Sequence, residues 1–344
     1  MFDRRDVEFD AEGGLKLRGW LFVPAKARGP RPAVTMAHGY AGVKERLEQF
    51  ARAFAEAGFV LLVHDHRNFG ASDRAERGDI DPWQQIADWR HVISFLENQP
   101  EVDAAQIGIW GTSYAGGRAI VLGATDRRLR AVVAQVPTIS GFEQVLRRVP
   151  PEGIASLEKT FTEDDRGQLR GEPLHRQLIV SDDLTVAASY HSKDAIEFYL
   201  QPTRPGTWEN SVTIRSTRAA RMYEPGIWAP RVSPMPLLMV VALSDMITLT
   251  DLALAAYETA LPPNKLQLIS GGHFDPYLNS ARQVEQPSPG SVNTYTLHER
   301  STTPRSVTAD AKHQNRSDCP CQANKRRYLK YKLVERKEHA PSSL

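Results

Sequence analysis

Apolar and polar positions fall into distinct rhythms along this chain. Residues 7–23 alternate: Val7-Glu8-Phe9 and Leu15-Lys16-Leu17-Arg18-Gly19-Trp20-Leu21-Phe22 flank Glu12-Gly13-Gly14, the pattern of an antiparallel hairpin. Short unbroken apolar runs follow at Ala33-Val34-Thr35-Met36-Ala37, Phe59-Val60-Leu61-Leu62-Val63, Ile107-Gly108-Ile109-Trp110 and Ala131-Val132-Val133-Ala134, and such runs predict strands buried on both faces. Helical stripes stand between them. One runs from about Glu45 to Ala57, with Leu47, Phe50, Ala51 and Phe54 on one face and Gly58 as its stop. Another runs from Asp81-Pro82 to about Asn98, with Asp81 as N-cap and Trp83, Ile86, Trp89, Ile93 and Leu96 as the inner stripe. The order β-α-β-α-β-α-β predicts an α/β fold, a mostly parallel sheet flanked by helices.

The rhythm breaks between Pro137 and Pro236. That stretch is polar, carries helical periodicity over Gly141 to Val149, Gly153 to Phe161 and Ala187 to Leu200, and shows few clear strands. It reads as a helical cap insertion over the carboxyl edge of the sheet, where such folds keep their sites. The strand pattern returns at Pro236-Leu237-Leu238-Met239-Val240-Val241-Ala242, a helix is expected from about Thr250 to Ala260, and Lys265-Leu266-Gln267-Leu268-Ile269 is the last strand. The expected division is therefore a core of residues 1–136 and 236–279, a cap of residues 137–235, and a tail of residues 280–344. Polar, proline-containing and poor in apolar residues, the tail is expected to be disordered.

The candidate chemistry centres on Ile107-Gly108-Ile109-Trp110-Gly111-Thr112-Ser113-Tyr114-Ala115-Gly116-Gly117. A buried strand, a sharp turn with serine at its point and a helix start make a nucleophile elbow. Small residues are needed where strand and helix approach, and Gly111, Ala115 and Gly116 supply them. The motif is G-x-S-x-A-G, with Ala115 in place of the second glycine. Asp245 and His273 follow two later strands, so Ser113, Asp245 and His273 stand at three strand ends that converge on one sheet edge. A serine hydroxyl needs a base, and a neutral imidazole serves near pH 7. A carboxylate then fixes the tautomer and stabilises the imidazolium. Asp251 and Asp275 are open alternatives to Asp245. Two backbone donors are required for an oxyanion hole, and the expected pair is the N–H groups of Tyr114 and Tyr40, the latter in His38-Gly39-Tyr40. His64-Asp65-His66 are too close in sequence to converge on one metal, so no metal and no cofactor is expected; Asp65 and Arg67 are expected to order their loop. Trp208, Trp228 and Tyr223 are candidates for an acyl pocket or for cap packing.

Composition narrows this picture further. The chain has 344 residues, 41% hydrophobic and 24% charged, and an ordinary globular balance. The charged start, Met1-Phe2-Asp3-Arg4-Arg5-Asp6, lacks an apolar core, so no secretory signal is expected, and there is no apolar run long enough to span a membrane. Cys319 and Cys321 are the whole cysteine complement, which gives no disulfide framework and points to a reducing, cytoplasmic setting. The net charge of +2 is uneven: from Ser280 onward twelve Lys and Arg face six Asp and Glu, which leaves the remainder at −4. The basic balance belongs to the tail, and no nucleic-acid or membrane partner is expected; the oligomeric state is not readable.

Residues 6 to about 278 resemble the α/β-hydrolase superfamily, and within it the branch of dienelactone-hydrolase-like proteins, fungal polyketide transferases and toxin-biosynthesis hydrolases. The likeness is carried by Asp6-Val7-Glu8-Phe9, Leu17-Arg18-Gly19-Trp20-Leu21, His38-Gly39-Tyr40-Ala41-Gly42-Val43-Lys44-Glu45, Asp65-His66-Arg67-Asn68-Phe69-Gly70-Ala71-Ser72-Asp73 and Gly111-Thr112-Ser113-Tyr114. It continues in Gln135-Val136-Pro137 and Gly271-Gly272-His273-Phe274-Asp275-Pro276-Tyr277. The amphipathic helix that such proteins place after the histidine loop is not recognisable after Tyr277-Leu278. The resemblance implies acyl transfer through a serine ester, with Ser113 as nucleophile, His273 as base and Asp245 as acid. The substrate is a small-molecule ester or thioester, and the acceptor is water or the hydroxyl of a second metabolite. Only through this resemblance does the peroxisome enter as an alternative to the cytoplasm. The rival readings are a non-catalytic ligand-binding protein on the same scaffold and a product made inactive by its altered C-terminus.

Overall fold

The computed structural model describes residues 1–25 and 29–278. The tail expected at residues 280–344, with Cys319 and Cys321, lies outside the described residues. The chain opens with the expected hairpin, β1 (Phe2–Asp10) and β2 (Lys16–Pro24), whose pairing runs from Phe2 opposite Pro24 to Asp10 opposite Lys16. There follow β3 (Arg31–Ala37), a 3-10 turn (Lys44–Leu47) leading into α1 (Glu48–Glu56), β4 (Val60–His64), α2 (Pro82–Glu97), β5 (Val102–Thr112), α3 (Tyr114–Thr125) and β6 (Leu129–Gln135). After a long excursion come β10 (Leu237–Ala242), α8 (Thr250–Thr259), β11 (Asn264–Ile269) and a final turn of helix, α9 (Asp275–Leu278).

These strands form one eight-stranded sheet in the order β1-β2-β4-β3-β5-β6-β10-β11. The hairpin enters antiparallel, with β2 against β4, and every pair from β4 to β11 is parallel. Largely apolar strands such as β4, buried at all five residues, take the middle, where helices cover both faces. All the parallel strands therefore end on one edge, which gathers the segments after β3, β5, β10 and β11.

Capping and periodicity explain α2 closely. The Asp81 side chain accepts hydrogen bonds from the N–H groups of Trp83 and Gln84, and Pro82 starts the helix. The inner stripe is Pro82, Gln85, Ile86, Trp89, Val92, Ile93 and Leu96, and the expected Trp83 is 52% exposed. One residue from Pro82 is about 100° of helix rotation, which carries Trp83 off the buried face.

Between β6 and β10, neighbours in the sheet, the chain leaves it through α4 (Gly141–Arg148), α5 (Pro151–Leu169), β7 (Arg176–Val180), β8 (Ala188–Tyr190), α6 (Lys193–Tyr199), β9 (Val212–Thr213) and α7 (Ile214–Arg221). This insertion is helical with an added three-stranded sheet, β8-β7-β9. The helix expected over Ala187 to Leu200 is instead a short strand followed by α6. Ala188 and Tyr190 pair with Leu178 and Val180, and this pairing, not local helical periodicity, decides their conformation.

The junction between β5 and α3 is tightly packed. A Cβ on Gly111 would lie 2.1 Å from the Ala115 carbonyl oxygen and 2.9 Å from the Ala119 Cβ. Gly111→Ala would have to displace the helix backbone and the rigid Ala119 Cβ, and it is expected to cost about 3 kcal/mol or more. At roughly 2–4 °C per kcal/mol for a chain of this size, a thermal melt should show a midpoint lower by about 6–12 °C.

Candidate active site

Ser113 occupies the point of the elbow with φ 55° and ψ −122°, a strained backbone for a residue with a Cβ. The neighbours hold it there. Its N–H donates to the Gln135 carbonyl at 2.8 Å, and its own carbonyl accepts from Gly116 and Thr138, both at 2.9 Å. The side chain is pushed toward the sheet edge, 9% exposed.

Ser113 Oγ lies 2.9 Å from His273 Nε2, and His273 Nδ1 lies 2.8 Å from Asp245 Oδ2. A carboxylate only accepts, so Nδ1 carries the proton and Nε2 is left to accept from the serine. Asp245 is held by its own turn: Oδ1 accepts from the N–H groups of Ile247 and Thr248, and Oδ2 from the Thr248 hydroxyl, all at 2.8 Å. Burial pushes the Asp245 carboxyl up. The nearby His273 and the hydrogen bonds from His273 and Thr248 outweigh it and bring the value down from 3.8 to about 2. The two alternatives lie elsewhere. Asp251 pairs with Arg147 at 2.6 Å on the surface, and Asp275 accepts from the Gly272 N–H at 2.6 Å, closing the turn before His273.

The His38-Gly39-Tyr40 turn after β3 lies against the serine. A Cβ on Gly39 would come within 2.9 Å of the Ser113 Cβ, so only glycine admits this approach. The Tyr40 and Ala41 carbonyls accept from the Tyr199 hydroxyl at 2.7 Å and the Trp208 indole N–H at 2.9 Å, both from the insertion. The Tyr114 N–H is the first of α3 and has no acceptor within its helix. Both backbone donors expected from the sequence thus belong to segments that border Ser113.

Beneath this turn lies a group that the sequence reading passed over. Arg118, on α3, is 1% exposed, and among the described residues no carboxylate pairs with it. One of its nitrogens, Nη1, lies 3.0 Å from His66 Nε2 and 3.4 Å from the His38 carbonyl, and the guanidinium stacks 4.6 Å from the centre of the Tyr114 ring. Burial lowers its pKa to about 10, so it stays charged near neutral pH. Burial likewise drives His38 down to about 4 and His64 and His66 well below the usual range, so these imidazoles are neutral. No group of three or more His, Cys, Asp or Glu among the described residues is arranged to hold a metal. The loop that follows His64 and carries His66 is ordered by Asp65, which holds the Lys44 ammonium at 2.5 Å and accepts from the Ala71 N–H at 2.9 Å, and by Arg67 forked onto Asp88.

Ser113 floors a cavity of about 140 Å³ roofed by the insertion, with Tyr40, Gln144, Val145, Arg148, Tyr190 and Ile247 among its walls. Trp208, Trp228 and Tyr223 do not line it. Trp208 stacks on Tyr199, Trp228 carries Arg231, and Tyr223 is fully buried against Tyr114, so these aromatics pack the insertion. The roles of two supporting threonines also escaped the sequence reading. Thr248 stands three residues after Asp245, the spacing of a cap, and that was its legible signal. Thr112 hydrogen-bonds Tyr277 and accepts from Gln135, tying the histidine segment to β5, and no local pattern announces it.

The stability linked to Asp245 has a definite sign. Its value in the fold is depressed, so its contribution is complete above the ordinary value of 3.8 and is lost as the pH falls toward about 2. Asp245→Asn is expected to cost about 2 kcal/mol near neutral pH, and its difference from the wild type in denaturant titrations should shrink as the pH is lowered through that window.

The comparisons with known proteins agree with this architecture. Residues 13–275 match the family described as X-Pro dipeptidyl-peptidase (S15 family). Polyketide transferase ATR5 of Stachybotrys chlorohalonatus is 31% identical over 298 residues, covering 82% of this chain and 96% of the relative. Thiohydrolase apmlB of Arthrinium phaeospermum is 32% identical over 251 residues, covering 70% of this chain and 78% of the relative. The crystal structure of the α/β hydrolase GrgF from Penicillium sp. sh18 matches with a TM-score of 0.69 and 27% identity, covering 82% of this chain and 95% of that one. With an eight-stranded sheet of hydrolase order and these relatives, the chain belongs to the X-Pro dipeptidyl-peptidase (S15) family within the α/β-hydrolase superfamily.

Proposed function

We propose that this enzyme transfers the acyl group of a small-molecule ester or thioester through a covalent intermediate on Ser113, within secondary-metabolite biosynthesis. The observation that carries the proposal is the unbroken chain of contacts from Ser113 Oγ through His273 to Asp245, at 2.9 and 2.8 Å, on the floor of a cavity. Relatives named polyketide transferase and thiohydrolase support both the reaction class and its metabolic setting.

In the first half-reaction Ser113 Oγ bonds to the substrate carbonyl carbon while His273 Nε2 takes the hydroxyl proton. The carbonyl oxygen becomes an oxyanion, held by the Tyr40 and Tyr114 N–H groups. The bond to the leaving alcohol or thiol then breaks, and His273 returns the proton to it. In the second half-reaction His273 deprotonates water or an acceptor hydroxyl, whose oxygen attacks the acyl-serine and releases Ser113 with its proton restored. Asp245 remains ionised throughout and stabilises the imidazolium formed in each half. The Arg118 cation adds a fixed positive field behind the donors and buttresses the His38 carbonyl at the stem of the turn.

A fluorophosphonate probe tests the nucleophile. It is expected to label the wild type, with Ser113→Ala unlabelled although folded; a labelled Ser113→Ala protein would overturn the assignment. Arg118→Met separates catalysis from stability. Replacing an unpaired buried cation by an apolar side chain is expected to leave the melting temperature equal or higher, while kcat falls on the order of tenfold with KM little changed.

A further inference from the structure

Two side chains in the cavity above Ser113 have donors to spare. Gln144 and Arg148 stand four residues apart on α4, so they share one face of the helix, a turn from each other along the cavity wall. Gln144 is 9% exposed, and its amide nitrogen is buried without a hydrogen-bond partner. An orphaned buried amide is costly unless a ligand completes it. Arg148 stands farther along, with its guanidinium 5.0 Å from the centre of the Tyr190 ring and Nη2 donating to the Ser189 carbonyl at 2.9 Å. Its neighbour Arg147 pairs with Glu143 and Asp251, whereas among the described residues no carboxylate pairs with Arg148. The contacts to Tyr190 and Ser189 thus fix a cation against the cavity and leave its other nitrogens for something else.

The lining of the cavity says what that is. It contains neither Asp, Glu nor Lys, so Arg148 is its sole formally charged wall residue among those described. The other lining residues are uncharged, among them the apolar Val145, Val149, Leu157 and Ile247. His273 does not line it and instead borders a separate small cleft with Ser113 and Phe274. A leaving group must depart on the histidine side to collect its proton. The cavity on the other side is left for the acyl chain.

We infer that this cavity selects acyl groups ending in a carboxylate, with Arg148 pairing the acid and Gln144 donating to an oxygen nearer the serine. The inference rests on the acyl-transfer reading above and names the substrate class for it. The substrate is then an ester or thioester of a dicarboxylic acid, with one carboxyl activated and the other free. Arg148 binds the free carboxylate through two parallel N–H donors, while the methylenes between lie on Val145 and Val149.

The test is a set of chromogenic esters that differ only at the far end of the acyl chain. Mono-4-nitrophenyl glutarate carries the acid, methyl 4-nitrophenyl glutarate hides it, and 4-nitrophenyl 4-aminobutyrate reverses the charge. The wild type is expected to favour the acid over its methyl ester by roughly tenfold or more in kcat/KM, mainly through KM, and to lose part of this preference in high salt. Arg148→Gln should bring the ratio close to one. Arg148→Glu should invert the preference toward the ammonium ester, a gain that a misfolded variant cannot mimic. Equal use of acid and methyl ester by the wild type, or a preference surviving in Arg148→Gln, overturns the inference and leaves acyl transfer standing. No turnover of any of the three, with no probe labelling, overturns the acyl-transfer reading and this inference with it.

Discussion

The distance between β5 and α3 governs the arrangement of everything around Ser113. Gly111 leaves so little room to Ala115 that the chain must turn within one residue, and that residue takes φ 55°. A looser turn would let the serine fall back into α3 as an ordinary first-turn side chain. The tight one points its hydroxyl at the sheet edge and leaves the Tyr114 N–H without an acceptor beside it. The strain is held by bonds on both sides of the residue, from Gln135 and Thr138 around β6 and from Gly116 in the helix. The geometry offered to His273 thus comes from the scaffold, not from the flexible side chain of a surface serine.

Electrostatics divide the site into two halves of opposite sign. On one side Asp245 is buried and ionised, compensated by His273 and three donors of its own turn. On the other, Arg118 is buried and ionised with only neutral imidazole, carbonyl and aromatic partners. In the proposed reaction the first would accept positive charge developing on the imidazole. The second is a standing positive charge near the place where a negative oxygen would form. In a low-dielectric interior both fields reach the reacting atoms with little screening. The free fold carries the desolvation of Arg118 at all times, so the cost falls on stability, and under the proposed mechanism the benefit would fall on the reaction.

Much of this was legible in the sequence, for identifiable reasons. The central strands are short apolar runs bounded by helical stripes, and local periodicity determines both. Ser113, Asp245 and His273 could be picked out because each follows such a run, and strand ends of a parallel sheet converge whatever their separation along the chain. The insertion was less legible. Its strands are two to five residues long and gain their hydrogen bonds from one another and not from local periodicity. Trp83 was misplaced by one step of helix rotation, because a tryptophan at the first turn looks like core whichever way it faces. Arg118, Gln144 and Arg148 were invisible for a different reason. An arginine in a sequence says nothing about whether a carboxylate will meet it, and the absence of a partner is a property of the assembled fold alone.

The hydrogen bonds from Tyr199 and Trp208 to the Tyr40 and Ala41 carbonyls alter how the insertion should be understood. Arg46, next to that turn, donates back to the carbonyls of Tyr199 and Gln201. The lock therefore runs in both directions, and the segment that shapes the cavity also braces the backbone beside the serine. A lid grafted from a relative would bring a new cavity and, at the same stroke, remove the braces of the old turn. Diversification in such a chain is consequently coupled: a change of substrate written into the insertion must keep these braces, or the scaffold acquires a new preference together with a slackened site in which to use it.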